Sequence, residues 1–304
     1  HMIDFQDICK DFKSDFWSGK VAALKNISFK IQEGKITGLL GINGAGKTTL
    51  MKILMRFIKS SKGEITFDKK LGKNFQEILS NLGYLPEHPY FYPYLTGYEF
   101  VQYMGALSNI KKRDIKERTV SLAERLKLSH ALDRKIRGYS KGMQQRLGFI
   151  ASLVHNPALL ILDEPFSGLD PIGRWEIKNI LYEFHKKGGS IFFSSHIISD
   201  VEEICHDIVV LQRGELLYDG SVEKLIEDHI GPNFLVNLTI DDISKITGLG
   251  DVSLVRKDET ANIFSIPLKL KETFLNKALE NGAKIKSLHQ DRPSLEEIIY
   301  KIKK

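Results

Sequence analysis

The stretch "KITGLLGINGAGKTTLMKILMRFI", residues 35–58, narrows the possible folds more than any other part of this chain. Its apolar start, "KITGLL", suits a buried strand. After it, Leu50, Ile53, Leu54, Phe57 and Ile58 recur at the spacing of a helix face. Between the two lies "GINGAGKT", Gly41–Thr48, which matches G-x-x-x-x-G-K-[ST]. Glycines there let backbone N–H groups crowd round an anion. Lys47 can reach the β/γ-phosphates of a nucleotide, and the Thr48 hydroxyl can ligate Mg²⁺. The helix that follows aims its positive end at the same place. A glycine turn with a chance lysine would also fit these eight residues; the strand before and the helix after decide for nucleotide binding.

"ALLILDEP", residues 158–165, adds a second apolar strand that ends in two carboxylates. Asp163 can sit on a metal's water shell, as the Asp of a P-loop enzyme does, and Glu164 can orient or deprotonate a water for attack on a γ-phosphate. Alone, the pair reads equally well as acidic helix capping; beside the glycine loop that reading loses. "GRWEIKNILYEFHKKG" reads as a helix and "SIFFSSH" as a third buried strand, and such alternation argues for a parallel sheet covered on both faces. Residues 3–40 read as strands and turns, "GEITFD" as a strand, and residues 96–154 as helices. The expected fold class is therefore α/β, a P-loop core built on a mostly parallel sheet.

With 304 residues, about two domains are expected. The texture changes after "DHIGPN" (228–233), so the first domain is placed over 2–228 and a small α+β accessory domain over 233–304. In that tail "FLVNLTI" reads as strand, "DDISKI" as a short helix and "VSLVRKDETANIFSIPL" as a hairpin. "KETFLNKALENG" follows as helix, "AKIKSLHQ" as strand, and "PSLEEIIYKI" as a helix capped by Ser294. His1 before Met2 reads as a cloning remnant. The net charge of +6, from 44 Lys and Arg against 38 Asp and Glu, permits an anionic neighbour such as a lipid surface without demanding one. No apolar run is long enough to cross a bilayer, and no signal peptide is expected. Cys9 and Cys205 stand in unrelated contexts, which indicates neither a disulfide framework nor a zinc site and fits a reducing cytoplasm.

Further motifs make the chain resemble the ATP-binding subunits of ABC transporters. "YSKGMQQRL" (139–147) is similar to their signature, with Ser140 and Gly142 kept and with Lys141 and Met143 where the commonest form has glycine and glutamine. "SGLD" (167–170) looks like the D-loop, and His196 like the switch histidine. "GYLPE" (83–87) looks like the Q-loop, with Glu87 where most members carry glutamine. "ICKDF" (8–12) resembles the stretch whose aromatic stacks on adenine, which points to Phe12, with Trp17 as the alternative. The resemblance covers residues 2 to about 225, and "YSKGM" and the tail resemble the exporter-type (ABC-2-like) subfamily. It implies a P-loop NTPase core of the ABC type, with an antiparallel β part and a helical subdomain over about 96–154, and ATP and Mg²⁺ as ligands. The implied nucleotide set is Phe12, Gly41, Asn43, Gly44, Ala45, Gly46, Lys47, Thr48, Thr49, Ser140, Gly142 and Asp170, with the signature serine supplied across a head-to-tail pair of subunits. Thr48, Glu87 and Asp163 attend the metal, Glu164 activates the water, and His196 holds the γ-phosphate. Each has a plainer alternative: Ser140 as an ordinary N-cap, His196 as a structural histidine, Phe12 as core.

The implied function is the ATP-hydrolysing subunit of an exporter, peripheral on the cytoplasmic face of the cell membrane. It would act as a homodimer or beside a paired ATPase subunit, with separate transmembrane permease subunits and no nucleic acid. The alternative is a soluble ABC ATPase acting on ribosomes or DNA; those carry two ATPase modules or a long insertion, and this chain has neither. A sensing module that does not hydrolyse fits poorly with Lys47, Asp163 and Glu164 all present. "HPYFYPYL" (88–95) is expected to be a proline-stiffened docking loop for a membrane subunit, with Tyr84 and Phe100 turned into the core.

Overall fold

The computed structural model describes residues 1–13, 19–108, 110–248, 250–257 and 262–302; Trp17 lies outside them. The chain opens with an antiparallel hairpin, β1 (Ile3–Lys13) and β2 (Lys20–Ile31), followed by β3 (Ile36–Leu40), the glycine loop and α1 (Lys47–Leu54). β4 (Lys62–Phe67) pairs back onto β1, giving a three-stranded antiparallel sheet in the order β2-β1-β4. α2 (Phe75–Ser80) and β5 (Leu82–Leu85) precede the aromatic loop. Then come the helices α3 (Gly97–Leu107), α4 (Lys112–Arg125) and α5 (Lys141–Leu153). β6 (Leu159–Asp163), α6 (Pro171–Lys186), β7 (Ser190–Ser195), α7 (Ile198–Ile204), β8 (Asp207–Gln212) and β9 (Glu215–Ser221) complete the alternation.

Six strands form the main sheet in the order β5-β6-β7-β3-β8-β9, parallel except for β9. β3, β6 and β7 are buried at every position, which is why their sequences run apolar without alternation. β1, by contrast, buries Ile3, Phe5 and Ile8 and exposes polar residues between them. Phe5 stacks on Phe29 with ring centroids 4.2 Å apart, and both lie against Phe192 of β7 at 6.3 and 6.0 Å. This trio joins the antiparallel sheet to the parallel one.

Several elements differ from the sequence reading. The helix after the glycine loop stops at Leu54, because Arg56 takes a left-handed backbone (φ +57°), and Phe57 and Ile58 pack outside it. Gly83–Leu85, the start of the "GYLPE" stretch expected as the Q-loop, lie in strand β5, paired with β6 from Leu82 to Leu85. The β8–β9 hairpin turns through Arg213 (φ +50°) and Gly214 (φ +79°), the pair of left-handed residues that two-residue hairpins favour. Thr96 and Glu99 cap α3 reciprocally and so end the aromatic loop at a defined point.

The chain divides into compact units at Val222/Glu223, a little before residue 228. The second unit holds most of α8 (Val222–Glu227), then β10 (Asn233–Thr239), β11 (Ser253–Lys257), β12 (Asn262–Pro267), α9 (Lys271–Glu280), β13 (Lys284–Gln290) and α10 (Leu295–Ile302). Its sheet is antiparallel in the order β11-β12-β10-β13. It has its own core, in which Val236, Leu238, Phe264 and Ile266 meet Phe274 and Ala278 of α9. Among the described residues no helix is long and apolar enough to cross a membrane.

The aromatic trio generates a stability prediction. Phe5→Ala removes a fully buried ring at the joint between sheets and should cost about 3–5 kcal/mol. Denaturant unfolding measures it, and a loss below about 1 kcal/mol would mean the joint does not depend on this ring.

Candidate functional site

Register brings the site together. In the parallel sheet Leu40 pairs with Ser195 and Asp163 with Ser194, so Gly41, Glu164 and His196 leave adjacent strands at the same carboxyl edge. Ligands of open α/β sheets gather at that edge. The loop after β3 turns through Gly44 (φ +81°) and Gly46 (φ +107°), and Gly46 precedes the first residue of α1. A Cβ on Gly46 would lie 2.6 Å from Leu24 Cδ2 and 2.9 Å from the Ala23 carbonyl, so only glycine fits.

The loop lines a cavity of about 340 Å³. Asn43, Gly44, Ala45, Gly46, Lys47, Thr48 and Thr49 form one side of it, and Glu87, Glu164 and Ala23 lie on its other walls. Lys47 is buried; its ammonium donates to the Gly41 carbonyl at 2.7 Å and stands 3.4 Å from Glu164 Oε1. A wider groove of about 870 Å³ is lined by Lys35, just before β3, and by Asp207, the first residue of β8. That is the amino end of the strands, away from the glycine loop.

Asp163 is buried, and its Oδ1 accepts from the Ser194 hydroxyl at 2.5 Å. Its Oδ2 is buried without a hydrogen-bond partner. Burial pushes the Asp163 carboxyl above the usual carboxylate range; the Ser194 and Thr48 hydroxyls oppose that push, Glu87 adds to it, and Lys47 opposes it. Burial and the charge of Asp163 together push the neighbouring Tyr84 phenol up to about 12. An unpartnered, desolvated carboxylate oxygen beside a hydroxyl is the environment that a hard cation relieves.

Glu164 is also buried. Its N–H donates to the same Ser194 oxygen at 2.9 Å, and its carboxylate spans Lys47 on one side and His196 Nδ1, 2.9 Å from Oε2, on the other. Its φ of +51° is left-handed, a conformation that costs about 1–3 kcal/mol in a non-glycine residue and gathers at functional sites.

The remaining expected residues lie apart from this cavity or at its rim. Phe12 is 44% exposed and pairs across the hairpin with Val21, two residues from Ala23, with the Lys10 ammonium 5.1 Å from its ring. It is not core, and it is not among the residues lining the cavity. Ser140 caps α5, accepting from the Met143 N–H at 3.3 Å, and is exposed. Gly142 sits against the Gly168 carbonyl, 3.6 Å from where its Cβ would be, so the signature and D-loop stretches touch each other. Asp170 caps α6 through the Gly173 N–H at 2.9 Å and stands 3.7 Å from Arg146. Ser140, Gly142 and Asp170 form no part of the cavity wall within one chain. Two residues absent from the sequence reading belong to the site. Ser194 holds both acidic residues, and Gln145 donates to the Pro165 carbonyl at 3.1 Å and lies 3.4 Å from the Glu164 carbonyl. Only their nearness in sequence to His196 and to the signature hinted at them.

A glycine loop, a strand-borne carboxylate pair and a helical subdomain with a capped signature helix define an ATP-binding cassette. Residues 24–167 match the family described as ABC transporter. The chain is 32% identical to the uncharacterized ABC transporter ATP-binding protein YxlF of Bacillus subtilis, over 99% of both chains. It is 42% identical to the uncharacterized ABC transporter ATP-binding protein sll0415 of Synechocystis over 76% of this chain, spanning 66% of that relative's length. The bacitracin transport ATP-binding protein BcrA of Enterococcus faecalis is 36% identical over 74% of this chain and 71% of its own length. Among solved structures, an ATP-binding subunit of an ABC transporter superposes with a TM-score of 0.67 at 25% identity, covering 75% of this chain and 93% of that one. The dimeric cassette MJ0796 bound to ADP and Pi shares the fold, with a TM-score of 0.65 at 22% identity over 73% of this chain and 99% of that one. The chain belongs to the ABC transporter family, as one of its ATP-binding ATPase subunits.

Burying the unpartnered Asp163 oxygen carries a desolvation cost. Asp163→Asn should raise the melting temperature of the nucleotide-free protein, by on the order of 1 kcal/mol in stability, because it removes a desolvated charge. Thermal melts measure it; a lower melting temperature would show that the charge is already compensated.

Proposed function

We propose that this chain is the ATP-hydrolysing motor of an ABC exporter, working as a facing pair of cassettes beside separate membrane-spanning subunits on the cytoplasmic face of a membrane. The observation that carries this reading is the Glu164 carboxylate, held between Lys47 and His196 at the wall of the glycine-loop cavity. Lys47 and the backbone N–H groups of residues 43–48 would bind the phosphates of ATP, and Phe12 would cover the adenine. Glu164 would accept a proton from the attacking water as it adds to the γ-phosphorus. His196 donates from Nδ1 to the Glu164 carboxylate, so it can donate to a γ-phosphate oxygen from Nε2 only as imidazolium. Thr48, the free Asp163 Oδ2 and Glu87 are the oxygen donors that would hold Mg²⁺, which when bound offsets charge on the β- and γ-phosphates.

The pairing of cassettes has its own support. Ser140 offers an exposed hydroxyl at a capped, positive helix end, which is an anion site. Within its own chain it faces no phosphate loop. A second cassette, turned head to tail, would supply the missing γ-phosphate, and the dimeric neighbour MJ0796 has the same fold. Export is favoured by the "YSKGM" form of the signature, and transport over ribosome or DNA work by relatives named for transport, BcrA among them.

The docking loop adds a surface. Tyr90, Tyr92 and Tyr94 are exposed by 83%, 48% and 75%, while Phe91 and Phe100 are buried against each other, with centroids 4.9 Å apart. The buried rings fix the loop, and the exposed ones present area to a membrane subunit at low entropy cost.

Two predictions test this reading, one on the nucleotide site and one on docking. Lys47→Ala removes the buried ammonium and should weaken ATP binding by about 3 kcal/mol, roughly a hundred-fold. Glu164→Gln should bind ATP without turning it over and should shift to dimer with Mg·ATP, a shift that Ser140→Arg prevents. Phosphate release and light scattering decide: full hydrolysis by Glu164→Gln, or dimerisation indifferent to Ser140, would overturn the assignment. The second prediction concerns Tyr90, Tyr92 and Tyr94 changed together to alanine, which should spare the melt and ATP binding. It should weaken co-purification with the membrane subunits, each ring contributing about 2 kcal/mol. Unchanged association with a normal melt would remove the docking role.

A further inference from the structure

Glu164 keeps an orientation that its own backbone resists. Its φ of +51° is rare for a residue with a side chain, and the following Pro165 restricts it further. Such a turn persists only when its surroundings hold it. Three groups do so. Ser194 Oγ accepts the Glu164 N–H at 2.9 Å, the Ser167 N–H donates to the Glu164 carbonyl at 3.0 Å, and Gln145 Nε2 donates to the Pro165 carbonyl at 3.1 Å while lying 3.4 Å from that of Glu164.

These anchors differ in where they come from. Ser194 belongs to the neighbouring strand and Ser167 to the turn itself, so both move with the sheet. Gln145 belongs to α5, the helix that Ser140 caps. It is only 3% exposed, and both atoms it faces are carbonyl oxygens, so its NH₂ group, not its oxygen, is turned toward the turn. Pro165 has no N–H, so the peptide joining it to Glu164 offers only a carbonyl for an outside group to grip. Gln145 lies five residues from Ser140, about 7 Å along one rigid helix. The signature end of α5 and the backbone of the residue that faces the cavity are therefore joined by one helix and one side chain.

We propose that Gln145 is a positioning residue for hydrolysis: it holds the Glu164–Pro165 turn from α5, keeps the Glu164 carboxylate aimed into the glycine-loop cavity, and makes that aim depend on where α5 sits. This rests on the reading of Glu164 as the group that activates water. A merely structural amide, satisfying two buried carbonyls, would affect the melt and leave turnover by the folded protein unchanged. A positioning amide would lower kcat and leave KM alone, because Lys47, Thr48 and the loop glycines are untouched.

Gln145→Met keeps the length and removes the donor, and Gln145→Glu keeps the shape and sets an acceptor against the two carbonyls; the second serves if the first does not fold. With Mg·ATP as substrate and the whole chain as the enzyme, kcat should fall by about a hundred-fold, the penalty of a small misplacement, with KM within about two-fold of wild type. Adding Gln145→Met to Glu164→Gln should bring no further loss, because the two act through one group. Normal kcat in a folded variant, a rise in KM alone, or a further loss in the double variant would each overturn the proposal. Glu164→Gln alone separates the two failures. If it hydrolyses ATP normally, the reading of Glu164 is wrong; if it is inactive while the Gln145 variants turn over normally, only the positioning role is wrong.

Discussion

One hydroxyl organises the acidic half of the site. Ser194 gives its proton to Asp163 Oδ1 and receives the N–H of Glu164, so a single side chain sets the position of two consecutive acidic residues. It can do so only because β6 and β7 run parallel and in register, with Asp163 opposite Ser194. A slip of one residue would turn Ser194 to the other face and release both. The register in turn rests on strands that are buried at every position, where the packing of Leu160, Leu162, Ile191 and Phe193 leaves no freedom to slide.

That dependence explains which parts of the protein were legible in its sequence. The glycine loop is a local object: two left-handed glycines, a lysine and a helix start are all readable within eight residues. The carboxylate pair at the end of β6 is likewise a short signal, an apolar run closed by "DE". Ser194 and Gln145 are not local. Nothing in "FFSSH" or "MQQRL" says which carboxylate or carbonyl, some twenty to thirty residues away, a hydroxyl or amide will reach. β5 is a four-residue strand whose Gly83 is needed because a Cβ would meet the Ser152 carbonyl at 2.1 Å, a constraint from another element entirely. The end of α1 at Leu54 is hidden from the sequence for a different reason. Ile58 does face the same core as Leu50 and Leu54, but the chain reaches it after the helix has ended, and periodicity in burial does not report where backbone hydrogen bonding stops. The β8–β9 hairpin did carry a local signal in "RG", and the sequence reading assigns nothing to it.

The aromatic loop shows how composition alone misleads. Seven rings between residues 84 and 100 look like one feature, yet they divide by depth. Phe91 and Phe100 are core, Tyr84 packs against the main core and against Phe57, and Tyr90, Tyr92 and Tyr94 face outward. Tyr92 is met edge-on by Tyr90 at 6.2 Å and by Tyr103 of α3 at 6.0 Å, so the outward rings support one another. Prolines prevent the loop from collapsing into a helix that would bury them. An exposed surface that is pre-shaped loses little entropy when covered, which separates it from an accidental patch.

Charge balance ties the two halves of the site together. The buried Lys47 ammonium is the one lysine or arginine cation lining the cavity among the described residues; it stands 3.4 Å from Glu164, and Glu87 lines the same cavity. Glu164, Glu87 and the nearby Asp163 set three carboxyl groups beside the Lys47 ammonium and the His196 ring, where a triphosphate, itself strongly anionic, would bind. Backbone N–H groups and the positive end of α1 offset part of this, each terminus contributing about half a charge. In the proposed pair, a divalent cation beside the unpartnered Asp163 oxygen and the positive end of a second α5 at its Ser140 cap would supply the remainder. On that proposal, nucleotide binding and subunit closure would be parts of the same neutralisation. The bond from Gln145 to the Glu164–Pro165 turn would then give closure a route to the Glu164 carboxylate.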